Sequence, residues 1–419
     1  MRRSLLCFAL CCASACGHAA VPAAPDTTAG APDAAALPTP VSATDAPDLA
    51  TAVKGAQLYA RYCALCHGKA AEGYAADNAP SLTSTTFRET ASIEFLRLAI
   101  GRGRAGTAMA GYAQAVGGPL TPADIDAIIG FTRVIAPPQP APPRVALPSR
   151  PSQGAVGRGQ SVYVAQCASC HGWPTQRGNA VHLFNPQLLA SASDAYLRYA
   201  IRKGRPGTKM EAWTGKLTDV QVDDAIAYLR SMALTVPPAP PVPWQVPPPA
   251  GATATTLPNP LAGLEPAPPL TGPLVIHPDG KPADLKMKDD RIVPLEEVAT
   301  ALRQKRRIVI IDARAPSDFL RLHIPGALSV PYYEPKELDK IPNDGTWVVA
   351  YCACPHHASG EIVDQLRKRN FKNTAVLDEG IFAWKTKGHP VVEAPAQLPT
   401  PAPPPVVHPP ASAVRGAVK

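Results

Sequence analysis

Gly55-Ala-Gln-Leu-Tyr59-Ala-Arg-Tyr-Cys63-Ala-Leu-Cys66-His67 returns further along the chain as Gly159-Gln-Ser-Val-Tyr163-Val-Ala-Gln-Cys167-Ala-Ser-Cys170-His171. The similarity continues downstream. Phe95-Leu-Arg-Leu-Ala-Ile-Gly-Arg-Gly103 parallels Tyr196-Leu-Arg-Tyr-Ala-Ile-Arg-Lys-Gly204, and Gly106-Thr-Ala-Met109 parallels Gly207-Thr-Lys-Met210. Leu120-Thr121 and Leu217-Thr218 then each open a helical pattern. Ile125, Ile128 and Ile129 share one face of the first, and Val222, Ala225 and Ile226 one face of the second. Thr121 and Thr218 are suited to N-caps, and Pro122 to the first helical position. A unit repeated at this length predicts two small helical domains of one architecture.

The repeated Cys-x-x-Cys-His is the attachment pattern of a c-type haem. Its spacing follows from the chemistry: two thiols one helical turn apart add to the two vinyl groups, and the next residue, His67 or His171, comes beneath the iron. A zinc site or a redox dithiol would not call for this histidine at equivalent places in a repeat. A lone methionine is usually core filler. Met109 and Met210, however, recur after Gly-Thr-x between two helices, in a chain with five methionines. They are the candidate sixth ligands. His/Met iron has both axial positions filled, so it passes electrons rather than activating oxygen.

On these motifs residues 52–136 and 154–236 resemble class I cytochrome c domains. The resemblance implies two covalently bound haem c groups, held through Cys63, Cys66, Cys167 and Cys170. It also implies a proline carbonyl accepting the proximal ring N–H: Pro80 in Asn78-Ala-Pro-Ser-Leu82, and Pro186 in Phe184-Asn-Pro-Gln-Leu188 as its counterpart.

The third patterned segment has a different character. Ile308-Val-Ile-Ile-Asp312 and Trp347-Val-Val-Ala-Tyr351 are β-branched runs, while Ser359–Lys368 and Ile381–Lys387 have helical patterns. Strands alternating with helices predict an α/β domain with a mainly parallel sheet. Ile311-Asp312-Ala-Arg314, His323-Ile-Pro-Gly-Ala327, Tyr351-Cys352, Leu377-Asp-Glu-Gly380, Trp384 and Pro390 occur in the order of the rhodanese family, which residues 286–393 resemble. The resemblance implies that Cys352 takes up sulfane sulfur as a persulfide, at a helix N-terminus that would depress its pKa. The loop Cys352-Ala-Cys354-Pro-His356-His357 departs from the family: His357 stands where an arginine is common, and a second thiol, Cys354, lies inside. Three readings stay open. Cys352 carries persulfide; or Cys352 and Cys354 form a redox pair; or the thiols with His356 or His357 bind a metal, or the domain serves only as an interaction module.

Around these segments lie Pro-rich stretches, which hold many of the 51 prolines. Read as spacers, they divide the chain into a tether (17–51), linkers at 137–153 and 237–285, and a tail (394–419). The expected architecture is multidomain: two all-α cytochrome c domains plus one α/β rhodanese-like domain, joined by Pro-rich linkers. Residues 1–16 read as a signal peptide, with Arg2 and Arg3 ahead of an apolar run from Leu5 to Ala13. Ala13-Ser-Ala-Cys16 fits a lipobox, with Cys16 lipidated, and it also fits ordinary cleavage after Ala15. Both readings export the chain; the first anchors it to a membrane in the periplasm. The net charge of +8 comes without any run of five or six basic residues, so no nucleic-acid site is expected. The expected partners are redox proteins and a small sulfane-sulfur compound, with an inert docking module as the alternative role of the third domain.

Overall fold

The computed structural model describes residues 39–40, 47–73, 79–137, 142–148, 150–233, 274–353 and 356–394. The expected signal peptide (1–16), residues 237–273 of the expected linker and Cys354 lie outside them. Among the described residues no helix is long and apolar enough to cross a membrane.

The first repeat contains α1 (Leu49–Tyr62), α2 (Ala64–His67), α3 (Thr85–Thr90), α4 (Ile93–Arg102) and α5 (Pro122–Phe131). The second contains α6 (Val156–Gln166), α7 (Ala168–His171), α8 (Pro186–Ser191), α9 (Asp194–Lys203) and α10 (Asp219–Ala233). Helix α1 starts at Leu49, capped by the Asp48 side chain on Thr51 N, a turn earlier than the expected boundary at 52. The caps at the closing helices form as the pattern suggests. Thr121 and Asp124 make a reciprocal capping box, and Thr218 exchanges the same bonds with Gln221.

In both repeats the entry and closing helices cross at a glycine. A Cβ on Gly55 would stand 2.1 Å from the Ala127 carbonyl oxygen, and one on Gly159 would stand 1.9 Å from that of Asp224. Only a hydrogen side chain allows the backbones this close. The apolar faces then bury Tyr59, Ile125 and Ile128 in one domain and Tyr163, Val222 and Ile226 in the other.

Two short strands, β1 (Thr39–Pro40) and β2 (Val145–Ala146), pair antiparallel, and β3 (Gly172–Trp173) with β4 (Gln176–Arg177) makes a tight hairpin after the second haem motif. The segment expected to be a spacer at 137–153 is tied down where described. Arg144 donates to the Ala91 carbonyl, and Ser152 bonds Asp194 and the Asp223 carbonyl.

The C-terminal domain has a five-stranded parallel sheet in the order β5 (Ile292–Val293), β10 (Thr374–Leu377), β9 (Val348–Tyr351), β6 (Val309–Asp312), β8 (Leu328–Ser329). Strands β7 (Leu322–His323) and β11 (Val392–Glu393) form a separate antiparallel pair. Alternation along the buried strands sends Ile310, Val349, Tyr351 and Leu377 to one face, beneath α11 (Leu295–Arg303) and α14 (Gly380–Thr386). It sends Ile311, Val348, Ala350 and Cys352 to the other, beneath α13 (His357–Lys368). The domain begins earlier than the expected 286. Ile276 already pairs with Ile308, and Ala283 and Leu285 are buried in the core. The remaining helix, α12 (Pro316–Arg321), follows β6.

Candidate functional site

The two haem motifs have one local design. Each sits on a single helical turn, α2 or α7, and a tyrosine from the entry helix anchors the end of that turn. Tyr59 Oη donates to the Gly68 carbonyl and Tyr163 Oη to Gly172, both at 2.8 Å. Burial lowers the pKa of His67 and of His171, which favours the neutral imidazole that a metal needs. Burial also pushes the Cys63 thiol up to about 12 and the Cys167 thiol up to about 11. That is the reverse of a redox dithiol, which works through a depressed pKa.

Each methionine loop is pinned in the same way. Arg104 N reaches the Met109 carbonyl and Arg205 N that of Met210, both at 2.7 Å. Thr107 Oγ1 accepts from the Met109 N–H and Thr208 Oγ1 from the Met210 N–H, each at 3.1 Å. The threonine of Gly-Thr-x-Met therefore fixes the loop, a role the spacing alone did not assign.

The proximal histidines differ in their carbonyl partners. His67 Nδ1 lies 3.0 Å from the Pro80 carbonyl. His171 Nδ1 lies 2.7 Å from the carbonyl of Val181, not of Pro186. The expectation for Pro186 is thus corrected. Pro186 opens α8, where the preceding Asn185 caps Leu188 N, and the β3–β4 hairpin turns the chain so that Val181 reaches the ring first. In both repeats Nδ1 is occupied by a carbonyl and Nε2 is the nitrogen left for iron. With the paired thiols and the pinned methionine, this donor set fits haem c.

The rhodanese-like loop begins where β9 ends. Cys352 is 2 % exposed, and its Sγ lies 3.3 Å from Ser359 Oγ in the first turn of α13. Its carbonyl accepts from Ile381 N, and a Cβ on Gly380 would stand 2.4 Å from that oxygen, so the Leu377-Asp-Glu-Gly380 motif needs glycine there. His356 adopts a left-handed conformation at the cap and places Nε2 3.2 Å from Asp378 Oδ1. His357 is the first residue of α13 and is not among the residues lining the cavity at Cys352. Among the described residues no group of three His, Cys, Asp or Glu side chains is arranged to hold a metal.

That cavity, of about 30 Å³, is shared between domains. Cys352, Ala353 and Ala358 line it from one side, and Cys66, Ala108 and Tyr112 from the first haem domain. The docking is specific. Tyr332 Oη donates to the Tyr62 carbonyl at 2.8 Å, and Ser317 Oγ donates to the Gly111 carbonyl at 2.6 Å. The Tyr333 ring stands edge-on to Tyr62 at 4.8 Å, and Arg61 pairs with Glu334. Leu65, inside the haem motif, packs on the same core cluster as Cys352.

Arg314 and Asp318 complete the wall. Arg314 is bidentate to Asp312, at 2.9 and 2.6 Å, and lies 3.8 Å from Asp318. Burial raises the pKa of Asp318 despite Arg314 and Arg321. Arg314 belonged to a recognised motif without a site role, and Tyr332-Tyr333 and Asp318 carried no signal in the sequence.

The second haem motif is partly exposed, at Ser169 and Cys170. Cys170 is exposed, and Trp173 and Val164 beside it are 42 % and 46 % exposed. The two haem domains also touch each other. Asn185 Nδ2 donates to Ala105 O and Arg177 Nη1 to Gly106 O, in the loop that carries Met109.

Comparison with known proteins agrees with this architecture. Residues 50–131 and 154–229 match the family described as cytochrome c oxidase, cbb3-type, subunit III, and residues 295–387 match the rhodanese-like domain family. The chain is a tandem pair of cytochrome c domains followed by a rhodanese-like domain. It is 28 % identical over 188 residues to the cbb3-type cytochrome c oxidase subunit FixP of Bradyrhizobium sp., covering 43 % of this chain and 60 % of that protein. It is 33 % identical over 94 residues to an uncharacterized protein of Synechocystis sp., covering 22 % of this chain and 51 % of that one. A match to the dihydro-heme d1 dehydrogenase of Pseudomonas aeruginosa, 33 % identical, covers 19 % of this chain and 16 % of that protein. The chain therefore spans about half the length of the first two relatives, and far less of the third. Among solved structures, the rhodanese-like domain from Anabaena sp. aligns at 20 % identity over 31 % of this chain and 98 % of its own, with a TM-score of 0.26.

Proposed function

We propose that the chain is an exported electron carrier with two haem c groups, in which sulfur chemistry at Cys352 is coupled to the haem of the first domain. The observation that carries this reading is the shared cavity: Cys352 and the haem-attaching Cys66 line the same space. Export rests on the charged and apolar character of residues 1–16, with Cys16 as the proposed lipid anchor in the periplasm.

Each residue has a part in this reading. Cys63 and Cys66, or Cys167 and Cys170, attach the cofactor. His67 with Met109, and His171 with Met210, would hold the iron, and the carbonyls of Pro80 and Val181 orient the two imidazoles. When bound, each haem would supply a one-electron acceptor or donor. Cys352 is the sulfur-carrying thiol, polarised by the first turn of α13 and by Ser359. Thiosulfate turnover is weak in this reading, because His357 lacks the forked donors of arginine and does not face the cavity. An inert docking module would not need its one described thiol on a cavity shared with the haem motif.

The test is to mix oxidised protein with thiosulfate, sulfide, polysulfide or a persulfide and follow the haem spectrum. Reduction by at least one of them, abolished in Cys352→Ser, is expected. Equal reduction in the variant would return the third domain to a docking role.

A further inference from the structure

We infer that the cavity between Cys66 and Cys352 takes hydrogen sulfide and oxidises it onto Cys352, forming a persulfide. The inference rests on the coupling proposed above and names its substrate and direction.

Three observations lead to it. First, the cavity is small: Cys352 is 2 % exposed and opens on about 30 Å³, room for one or two molecules the size of water. That space favours a small molecule over an oxoanion such as thiosulfate or a protein thiol. Second, the wall is unfavourable to a dianion. Among the described lining residues the one cation, Arg314, is spent on Asp312, and the second carboxylate, Asp318, lies on the cavity with described cations at 3.8 and 3.9 Å. A neutral molecule or a monoanion avoids that repulsion. Third, the remaining lining consists of alanines and tyrosines, which suits a weakly hydrated sulfur species.

The step balances with the chain's own cofactors as oxidant. The Cys352 thiol and hydrogen sulfide each lose one S–H bond and together gain one S–S bond. The products are the Cys352 persulfide, two protons and two electrons. Each sulfur is oxidised by one unit, two ferric haems c each become ferrous, and the protons leave to solvent. Two haems per chain match the two electrons, and the contact of the Met109 loop with the second haem domain gives the second electron a route.

The experiment uses full-length ferric holoprotein under anaerobic conditions, with polysulfide-free sodium sulfide as probe. It is run in parallel on Cys354→Ser, so that an internal disulfide cannot mask the thiol. The readout is the mass of the alkylated Cys352 peptide, beside the haem spectrum. The expected result is one added sulfur at Cys352 for every two haems reduced, no addition in pre-reduced ferrous protein, and none with thiosulfate. Cys352→Ser should keep its haem spectrum and lose sulfide-driven reduction. Haem reduction with an unmodified Cys352 would overturn the inference, as would equal addition to ferrous protein. If polysulfide loads Cys352 and reduces the haems while sulfide does neither, this inference fails and the coupling stands. If no sulfur compound reduces the haems through Cys352, both fail.

Discussion

The two haem domains share helices, caps and loop geometry, yet one haem motif is covered and the other is open. In the first, Leu65 and Cys66 face the rhodanese-like domain. In the second, Ser169 and Cys170 face solvent, with Trp173 and Val164 exposed beside them. Duplication alone would make two interchangeable carriers. Covering one of them creates an inside, next to a thiol, and an outside, next to water. The difference between the repeats therefore lies less in iron ligation than in what each haem can touch.

The largest test of that asymmetry removes one haem at a time. Cys63→Ala with Cys66→Ala should abolish sulfur-driven reduction of the remaining haem. Cys167→Ala with Cys170→Ala should leave the first haem reducible by the same donor, with one sulfur loaded for every two chains, while slowing transfer to an external acceptor. Intact mass of the covalent haem adducts and stopped-flow spectra check both. Equal effects of the two double variants would break the comparison.

The glycine crossing probes what the repeats share. Gly55→Ala would push a methyl group against the Ala127 carbonyl, and Gly159→Ala against that of Asp224. In each case helix backbones must separate, at a cost of about 3 kcal/mol. Thermal unfolding of the full chain should show one early transition in either variant. If the first domain is braced by its docking, the loss at Gly55 will be partly offset.

Much of this was legible in the sequence because covalent attachment is a linear requirement. Cys-x-x-Cys-His must be contiguous, and Gly-Thr-x-Met repeats with it. The parallel sheet was legible from β-branched runs such as Ile308–Asp312. Cys352's face also follows from alternation with Val348 and Ala350. Docking was not legible, since Tyr332, Tyr333 and Ser317 meet Tyr62 and Gly111 across more than two hundred residues. Pro186 misled because Asn-Pro occurs in that loop for a second reason: it starts a helix.

A smaller perturbation tests the docked face itself. Tyr332→Phe removes the hydrogen bond to the Tyr62 carbonyl and leaves the ring in place. The expected loss is about 1 kcal/mol of docking stability, seen as faster proteolysis between the domains and a modest fall in sulfur-driven reduction of the first haem. Among the described residues the second domain makes no hydrogen bond with Tyr332, so its unfolding midpoint should stay unchanged. A shift there would show that Tyr332 acts through the whole chain rather than through the covered motif.

The smallest expected effect is a difference in acid response at the glycine crossing. Where the first repeat has Ala127, the second has Asp224, which accepts from Ala155 N at 2.6 Å and is held in a bidentate pair by Arg158 at 2.8 and 2.9 Å. The hydrogen bonds from Arg158 come first in lowering the Asp224 pKa, and the Ala155 bond adds to them. The sign is set by linkage. A carboxyl depressed in the folded state contributes stability that is present above its unfolded value of 3.8, and the contribution is lost as pH falls through the lower folded value. Because Arg158 is largely exposed, solvent screens the pair and the contribution stays within about 1 kcal/mol. Asp224→Asn should therefore lower the urea midpoint of the second domain at pH 6, and by less as the pH falls below 3.8. The first domain has its own depressed carboxyl, Asp124, bonded to Lys54 and Thr121, and should respond to acid in both proteins alike. An equal change in both domains would mean that the acid response is a property of the whole molecule and not of this crossing.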